Sequence, residues 1–409
     1  MQQGLKISVF GTFYPESAMA GNTTWPIAQE LINDERVAEV TVYAQLGSTV
    51  PASLRSCDRF ELIPIWRHND PVSLIKALLT MLTQTAKSDV FIFNTYITAF
   101  GRSSVANATG ILLPVVLSVM AQRPTIVYMH NFMESQDVTS LGYHPGPIAR
   151  AVVRILEFLL IKGTKVVVPL KSQCSMMKLL FKQSPVQLLI PFLEPSGLLS
   201  ISRPQIQTRA NQERTGNAKI LLLGRWGPQK DLKGILDALR LAEQAGADFS
   251  VTITGATNPN FLDYKGEVYT QVKACKLSHI KMLPMIPEED MISQVMAHDL
   301  LILPYNASGG YSGAMMIGAY CGIDMIAYDL PQLRETASMI NCDVTFVHKG
   351  ETAKIADEIK SFCLSISRIR KIPRILPNPA LDCMLKTAIS QLTTLALTLV
   401  LTARSDTYE

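Results

Sequence analysis

The sequence predicts an α/β protein of two doubly wound domains, each a parallel sheet wrapped by helices, and three observations carry that prediction. Short, wholly apolar runs of strand length alternate with helix-length segments along the chain. A polar stretch without periodicity, residues 196–217, interrupts the alternation, which then restarts. At 409 residues the chain is long enough for roughly two or three domains, each with its own core.

The first series places strands over 7–10, 40–43, 62–65, 90–93, 126–129 and 166–168. The second places them over 220–223, 251–254, 280–283, 300–303, 325–328 and 344–347, with helices such as 234–245 and 288–297 between them. Runs this short and this uniformly apolar suit strands buried on both faces of a parallel sheet. The expected division is an N-terminal domain over 1–200, a C-terminal domain over 217–375 and a C-terminal helical segment over 376–409 that returns to the first domain. In such sheets ligands bind beyond the carboxyl ends of the strands, and two domains face to face would enclose a cleft.

Composition narrows the partners. Hydrophobic residues make up 48% and charged residues 18% of the chain, and the mean hydropathy is +0.19, with no run of transmembrane length expected. A formal charge of +4 and a pI near 8.6 fall short of a dedicated nucleic-acid binder but suit phosphorylated ligands or an anionic bilayer. Seven scattered cysteines without a CxxC pair point to reduced thiols rather than zinc. The opening MQQGLKISVFGTF enters a strand and carries no signal-peptide pattern, so the expected location is cytoplasmic.

The stretch 300–327, LLILPYNASGGYSGAMMIGAYCGIDMIA, reads as strand, glycine-rich loop, helix and strand. The first backbone N–H groups of a helix have no internal partners and the peptide dipoles favour negative charge there, so Ser312, Gly313 and Ala314 are candidates to hold a diphosphate. The alternative is a glycine-rich turn that only turns. A second candidate follows the first strand of the second series, in LLLGRWGPQKDLKGILDAL. There Gly224 and Arg225 sit at the strand's carboxyl end with Lys230 and Lys233 shortly after, cations suited to a leaving nucleoside diphosphate.

With Gly224-Arg225 and Lys233-Gly234, the chain resembles the retaining GT-B glycosyltransferases of the large family 4-like group (glycosyl transferases group 1), across nearly its whole length. The resemblance implies two Rossmann-like domains facing across a cleft, the N-terminal one binding acceptor and the C-terminal one binding the nucleotide sugar. It implies that Arg225 and Lys233 grip the donor diphosphate, with Lys230 the competing lysine. It also places Gly21 in the glycine loop after the first strand, where it meets ligand or merely permits a turn, and His130 in IVYMHNF near the donor sugar. The loop 285–290 corresponds to the base-binding loop, although Glu288, Glu289 and Asp290 also read simply as helix-start acids. The implied reaction moves a hexose from a UDP- or GDP-type sugar to a hydroxyl of a lipid-linked acceptor or growing glycan, with retention, and needs no metal or further cofactor.

One departure stands out. The family's two glutamates, eight positions apart, fall on Gly309 and Ile317, and neither is acidic. Asn306, Ser308, Ser312, Asp329 and Glu335 are the nearby polar substitutes. Two other readings stay open: a GT-B-type sugar-nucleotide epimerase, from Ser308-Gly309-Gly310, and a catalytically silent GT-B-like binding subunit. Finally, 148–165 is apolar around much of a helix, with Arg150, Arg154, Lys162 and Lys165 interspersed. That pattern fits either a core helix with snorkelling basic chains or a helix lying on the inner face of a membrane. The basic run holding Arg368, Arg370, Lys371 and Arg374 is read as a solvated or membrane-facing patch.

Overall fold

The computed structural model describes residues 4–15, 21–135, 138–139, 144–190, 217–258, 261, 263–286, 290–368 and 379–405. The chain divides into two compact units, Met1–Gln136 with Pro145–Phe192 and Cys383–Glu409, and Asp137–His144 with Leu193–Asp382. The expected linker, up to residue 216, lies outside the described residues, as do positions 16–20 of the first glycine loop and Glu288, Glu289, Arg370, Lys371 and Arg374.

The first unit runs β1 (Leu5–Phe10), α1 (Gly21–Asn33), β2 (Val37–Gln45), β3 (Phe60–Trp66), α2 (Pro71–Thr83), β4 (Val90–Thr95), α3 (Ser104–Ala121), β5 (Thr125–Met129), α4 (Pro147–Gly163), β6 (Lys165–Val168), α5 (Lys171–Phe181) and β7 (Val186–Gln187). Its sheet has the order β3-β2-β1-β4-β5-β6-β7, and each neighbouring pair is parallel. Val9 of β1 pairs with Val42 on one side and Ile92 on the other. Such central strands are buried on both faces, which is why they read as unbroken apolar runs. β7, two residues long, is too short to leave a sequence pattern.

The second unit runs β8 (Ala218–Leu223), α6 (Leu232–Gln244), β9 (Phe249–Thr254), α7 (Tyr264–Cys275), β10 (Ile280–Leu283), α8 (Met291–Met296), β11 (Leu300–Leu303), α9 (Gly313–Tyr320), β12 (Asp324–Tyr328), α10 (Pro331–Met339), β13 (Thr345–Val347) and α11 (Thr352–Arg368). The sheet order β10-β9-β8-β11-β12-β13 is again parallel throughout. In both units the chain reverses its direction of travel across the sheet beside the first strand, between β1 and β4 and between β8 and β11. In doubly wound sheets generally, such a switch point at the carboxyl ends is where ligands bind.

The last helix, α12 (Pro379–Ser405), belongs to the first unit from Cys383 onward. Its Ala388, Ile389, Leu392, Ala396 and Val400 join the apolar cluster of α1 and β1. Arg36, held by Asp34, donates to the Ser390 carbonyl at 3.1 Å and to Thr394 Oγ1 at 2.8 Å, fixing where the helix lies. Contrary to the sequence expectation, two stretches, Ser104–Ala121 and Met384–Ala403, are long and apolar enough to cross a bilayer. Each packs on the first unit's sheet, α3 through Ala106, Ile111 and Leu117 and α12 through the residues above.

Candidate functional site

Three neighbouring strands of the second unit end side by side: β8 at Leu223 before Gly224, β9 at Thr254 before Gly255, and β11 at Leu303 before Pro304. Gly224 and Gly255 have φ of +130° and +126°, where side-chained residues are strained. A side chain on Gly255 would run into the Gly224 carbonyl, and one on Gly224 would collide with the Lys230 ammonium. The two glycines thus let two strand ends and a lysine approach more closely than a Cβ permits.

The loop after β8 is tied to both neighbours. Trp226 N–H donates to the Ala256 carbonyl at 2.8 Å and Asn258 N–H to the Trp226 carbonyl at 2.7 Å. On the other side Asp231 N–H donates to the Pro304 carbonyl and Asn306 N–H to the Gln229 carbonyl, each at 2.8 Å. Those ties turn Lys230 inward, where it is 3% exposed. Its Nζ donates to the Leu223 carbonyl at 2.6 Å and stands 5.0 Å from the Trp226 ring centre and 4.9 Å from that of Tyr305. Burial pulls its pKa down to about 7. An ammonium carries three donors, and among the described residues this one spends a single bond.

Tyr305 links that lysine to the next helix. Ser312 Oγ donates to the Tyr305 hydroxyl at 3.2 Å and accepts Met315 N–H at 3.2 Å, capping α9. Gly313 and Ala314 form its first two positions and are half-buried. Gly224, Lys230, Tyr305 and Ser312 therefore form one continuous line from the end of β8 to the N-terminus of α9. A buried lysine with unspent donors, joined through Tyr305 and Ser312 to a helix start, suits an anion with several oxygens. Arg225 is half-buried at the head of the same loop, and its carbonyl accepts from Gln229 Nε2 at 3.0 Å.

Lys233 lies elsewhere. It sits on the outer face of α6 with its side chain 76% exposed, 2.9 Å from Asp237 one turn on. Gly234 is a glycine for a local reason: the Asp231 carboxylate caps α6 by accepting Gly234 N–H at 2.9 Å, in the space a Cβ would need. The other Asp231 oxygen accepts from the Tyr328 hydroxyl at 2.9 Å. Of the two lysines, the structure brings Lys230 to the strand end.

Among the conjectured substitutes for the missing acids, Asp329 is engaged by Arg334, and Ser308 donates to the Gly310 carbonyl at 2.6 Å, closing its own turn. Ile317 is buried within α9, a helix without a charged side chain. Asp290, the described member of the 288–290 acids, immediately precedes α8 without a side-chain cap bond. No group of three or more His, Cys, Asp or Glu side chains placed to hold a metal occurs among the described residues.

In the first unit, His130 follows β5 as expected but is 1% exposed. Asn94, near the end of β4, donates through Nδ2 to Thr23 Oγ1 at 2.8 Å and Thr24 Oγ1 at 2.7 Å. Its Oδ1 is left to pair with His130 Nε2 at 2.8 Å, which puts the ring proton on Nε2. Burial drives the imidazole pKa down to about 3, so it stays neutral. Gly21 opens α1, the helix carrying Thr23 and Thr24. The sequence reading missed Asn94, Thr23, Thr24, Gly255 and Tyr305. Asn94 had a legible signal, a polar residue at the end of the apolar run VFIF; the threonines had none, since only the fold aims them at it.

With this geometry in hand, solved structures match nearly the whole chain. HepE of Anabaena, determined in complex with UDP and glucose, aligns with a TM-score of 0.66 at 15% identity, covering 96% of this chain and 99% of that one. Sucrose-phosphate synthase of Thermosynechococcus elongatus aligns with a TM-score of 0.69 at 12% identity, covering 96% and 98%. The fold is GT-B. The same fold extends to WaaG, a glycosyltransferase involved in lipopolysaccharide biosynthesis, with a TM-score of 0.59 at 13% identity over 92% of this chain and 99% of that one. No protein-family model matches the sequence, and no curated protein matches it.

Proposed function

We propose that the chain is a glycosyltransferase that moves a hexosyl group from a nucleoside diphosphate sugar to a hydroxyl acceptor with retention of anomeric configuration. The observation that carries this reading is the buried Lys230, set without a described carboxylate partner between Gly224 and the Tyr305–Ser312 link to α9. As the bond to the sugar breaks, negative charge grows on the leaving diphosphate. Lys230, Arg225 and the N–H groups of Gly313 and Ala314 supply positive charge and donors for it, already in position before the reaction. In this reading the departing phosphate oxygen takes the acceptor's proton, so no protein nucleophile is required and no metal is assigned. The neutral His130, fixed by Asn94, is assigned to hydrogen bonding near the sugar rather than to proton transfer. The proposed donor is of UDP or GDP type, the proposed acceptor lipid-linked or a growing glycan, and the proposed location cytoplasmic, at the inner face of a membrane. The complex of HepE with UDP and glucose supports the donor class.

A thermal-shift screen of UDP, GDP and ADP, each with and without its sugar, followed by product analysis, tests the reading. Stabilisation by one nucleotide, with free nucleotide and a glycosylated product, is expected. An altered sugar nucleotide would instead establish epimerisation, and no shift with any of them would remove the donor site.

A further inference from the structure

Lys230 and Asp231 are neighbours in sequence whose side chains serve opposite sides of one loop. Lys230 Nζ turns under β8 to the Leu223 carbonyl, while the Asp231 carboxylate faces α6 and β12. Three elements fix Asp231. Its N–H donates to the Pro304 carbonyl just past β11, one carboxylate oxygen accepts Gly234 N–H in the first turn of α6, and the other accepts the Tyr328 hydroxyl of β12. A residue held from three directions leaves the Cα before it little freedom, since the peptide joining the two is planar.

Tyr328 reaches that carboxylate from two strands away: the sheet runs β8, β11, β12, and the tyrosine is the last residue of β12. Its ring is 1% exposed and packs in the same apolar cluster as Leu232 and Ile235 of α6. Burial, with the Asp231 carboxylate beside it, holds the phenol protonated above the usual tyrosine range, so it stays a donor. A buried hydroxyl needs a partner and an ionised carboxylate is a strong acceptor, so the pair favours this one geometry.

We propose that Tyr328 and Asp231 are positioning residues for the donor diphosphate: their hydrogen bond tethers the loop after β8 to β12 and thereby aims Lys230 at the end of β8. The consequence for donor binding rests on the reading of Lys230 as a diphosphate ligand; the tether does not.

Nitrogen NMR of the Lys230 side chain, with no nucleotide present, tests the tether, because a bond that only stabilised the fold would leave that lysine's titration unmoved. The wild-type midpoint is expected at about 7. In Tyr328→Phe the loop loosens, water reaches the ammonium, and the proton is held at least about tenfold more tightly. Two further variants both remove the carboxylate charge. Asp231→Asn keeps an acceptor for Gly234 and a donor for the Tyr328 hydroxyl, whereas Asp231→Ser caps α6 but is too short to reach Tyr328. The asparagine variant is expected to keep the wild-type midpoint or a lower one, and the serine variant to lie above it by about the same tenfold. Equal midpoints in these two, or an unmoved midpoint in folded Tyr328→Phe, overturn the tether. If Tyr328→Phe does not fold, the asparagine and serine pair decides.

Calorimetric titration with UDP at about pH 6, below the wild-type midpoint, reads the consequence with the lysine charged in every variant. Binding to Tyr328→Phe is expected to be roughly threefold to tenfold weaker, the scale of one hydrogen bond. Unchanged UDP affinity beside a moved midpoint supports the tether and overturns the diphosphate role of Lys230, so the two failures are distinct.

Discussion

The Lys230 ammonium occupies the space in which a side chain on Gly224 would stand. Backbone and cation converge at the end of β8, and Lys233, three residues further on, points to solvent. Lys230→Met should weaken UDP binding by roughly tenfold or more, the usual scale for a lost hydrogen bond to a charged group. Lys233→Ala should change it less than about threefold, the scale of an exposed ion pair. Calorimetric titration of both variants decides; equal losses would remove the distinction.

Donor binding should depend on pH through the same lysine. Its pKa is about 7 in the folded protein and 10.5 in its ordinary state, so between those values the unfolded chain binds more protons. Stability of the ligand-free protein therefore rises with pH across that window. A diphosphate favours the ammonium, so affinity should fall above about pH 7, by up to about tenfold per unit, with proton uptake on binding. Titrations in buffers of different ionisation enthalpy measure the uptake, and Lys230→Met should abolish it.

His130 should remain neutral wherever the protein is folded. Its folded pKa of about 3 lies below the ordinary 6.5, so stability is lost as pH falls from 6.5 toward 3. Nitrogen NMR should show the Nε2–H tautomer with no titration between about pH 5 and 8, the range in which an ordinary histidine changes charge. A midpoint near the ordinary value would mean the ring is solvated.

Gly255→Ala should destabilise the protein by at least ~2 kcal/mol, because it combines an unfavourable φ with collision against the Gly224 backbone. Gly246 has φ +85° but open space around it, so Gly246→Ala should cost only about 1 kcal/mol. Denaturant unfolding of the pair isolates the backbone contact from the strain.

Arg225→Ala should lower transfer by ~100-fold, the scale set by removing one preorganised charge-stabilising donor. Folding should be nearly unchanged, since the side chain is only half-buried. Near-normal turnover would take Arg225 out of the diphosphate site.

The strands were legible because both faces of a parallel sheet are dry: LLIL at β11 and VFIF within β4 admit few other structures. The break near 196–217 and the restart at β8 announced two units for the same reason. Glycine followed by arginine at the end of β8 marked the candidate site, since strand ends are where such sheets bind. The choice between Lys230 and Lys233 was not legible, because three residues of chain decide whether a lysine turns under its own strand or joins a helix surface.

By itself the sequence determined the fold class, the order of the elements and the strand ends at which to look, because burial on two faces writes a continuous apolar signal into every strand. Only the tertiary structure decided which side chains meet there. Lys230 reaches Tyr305 and Asn94 reaches His130 because the parallel order places β8 beside β11 and β4 beside β5. Those contacts span 75 and 36 residues of chain, a separation over which hydrophobic periodicity carries no information about which polar group faces which.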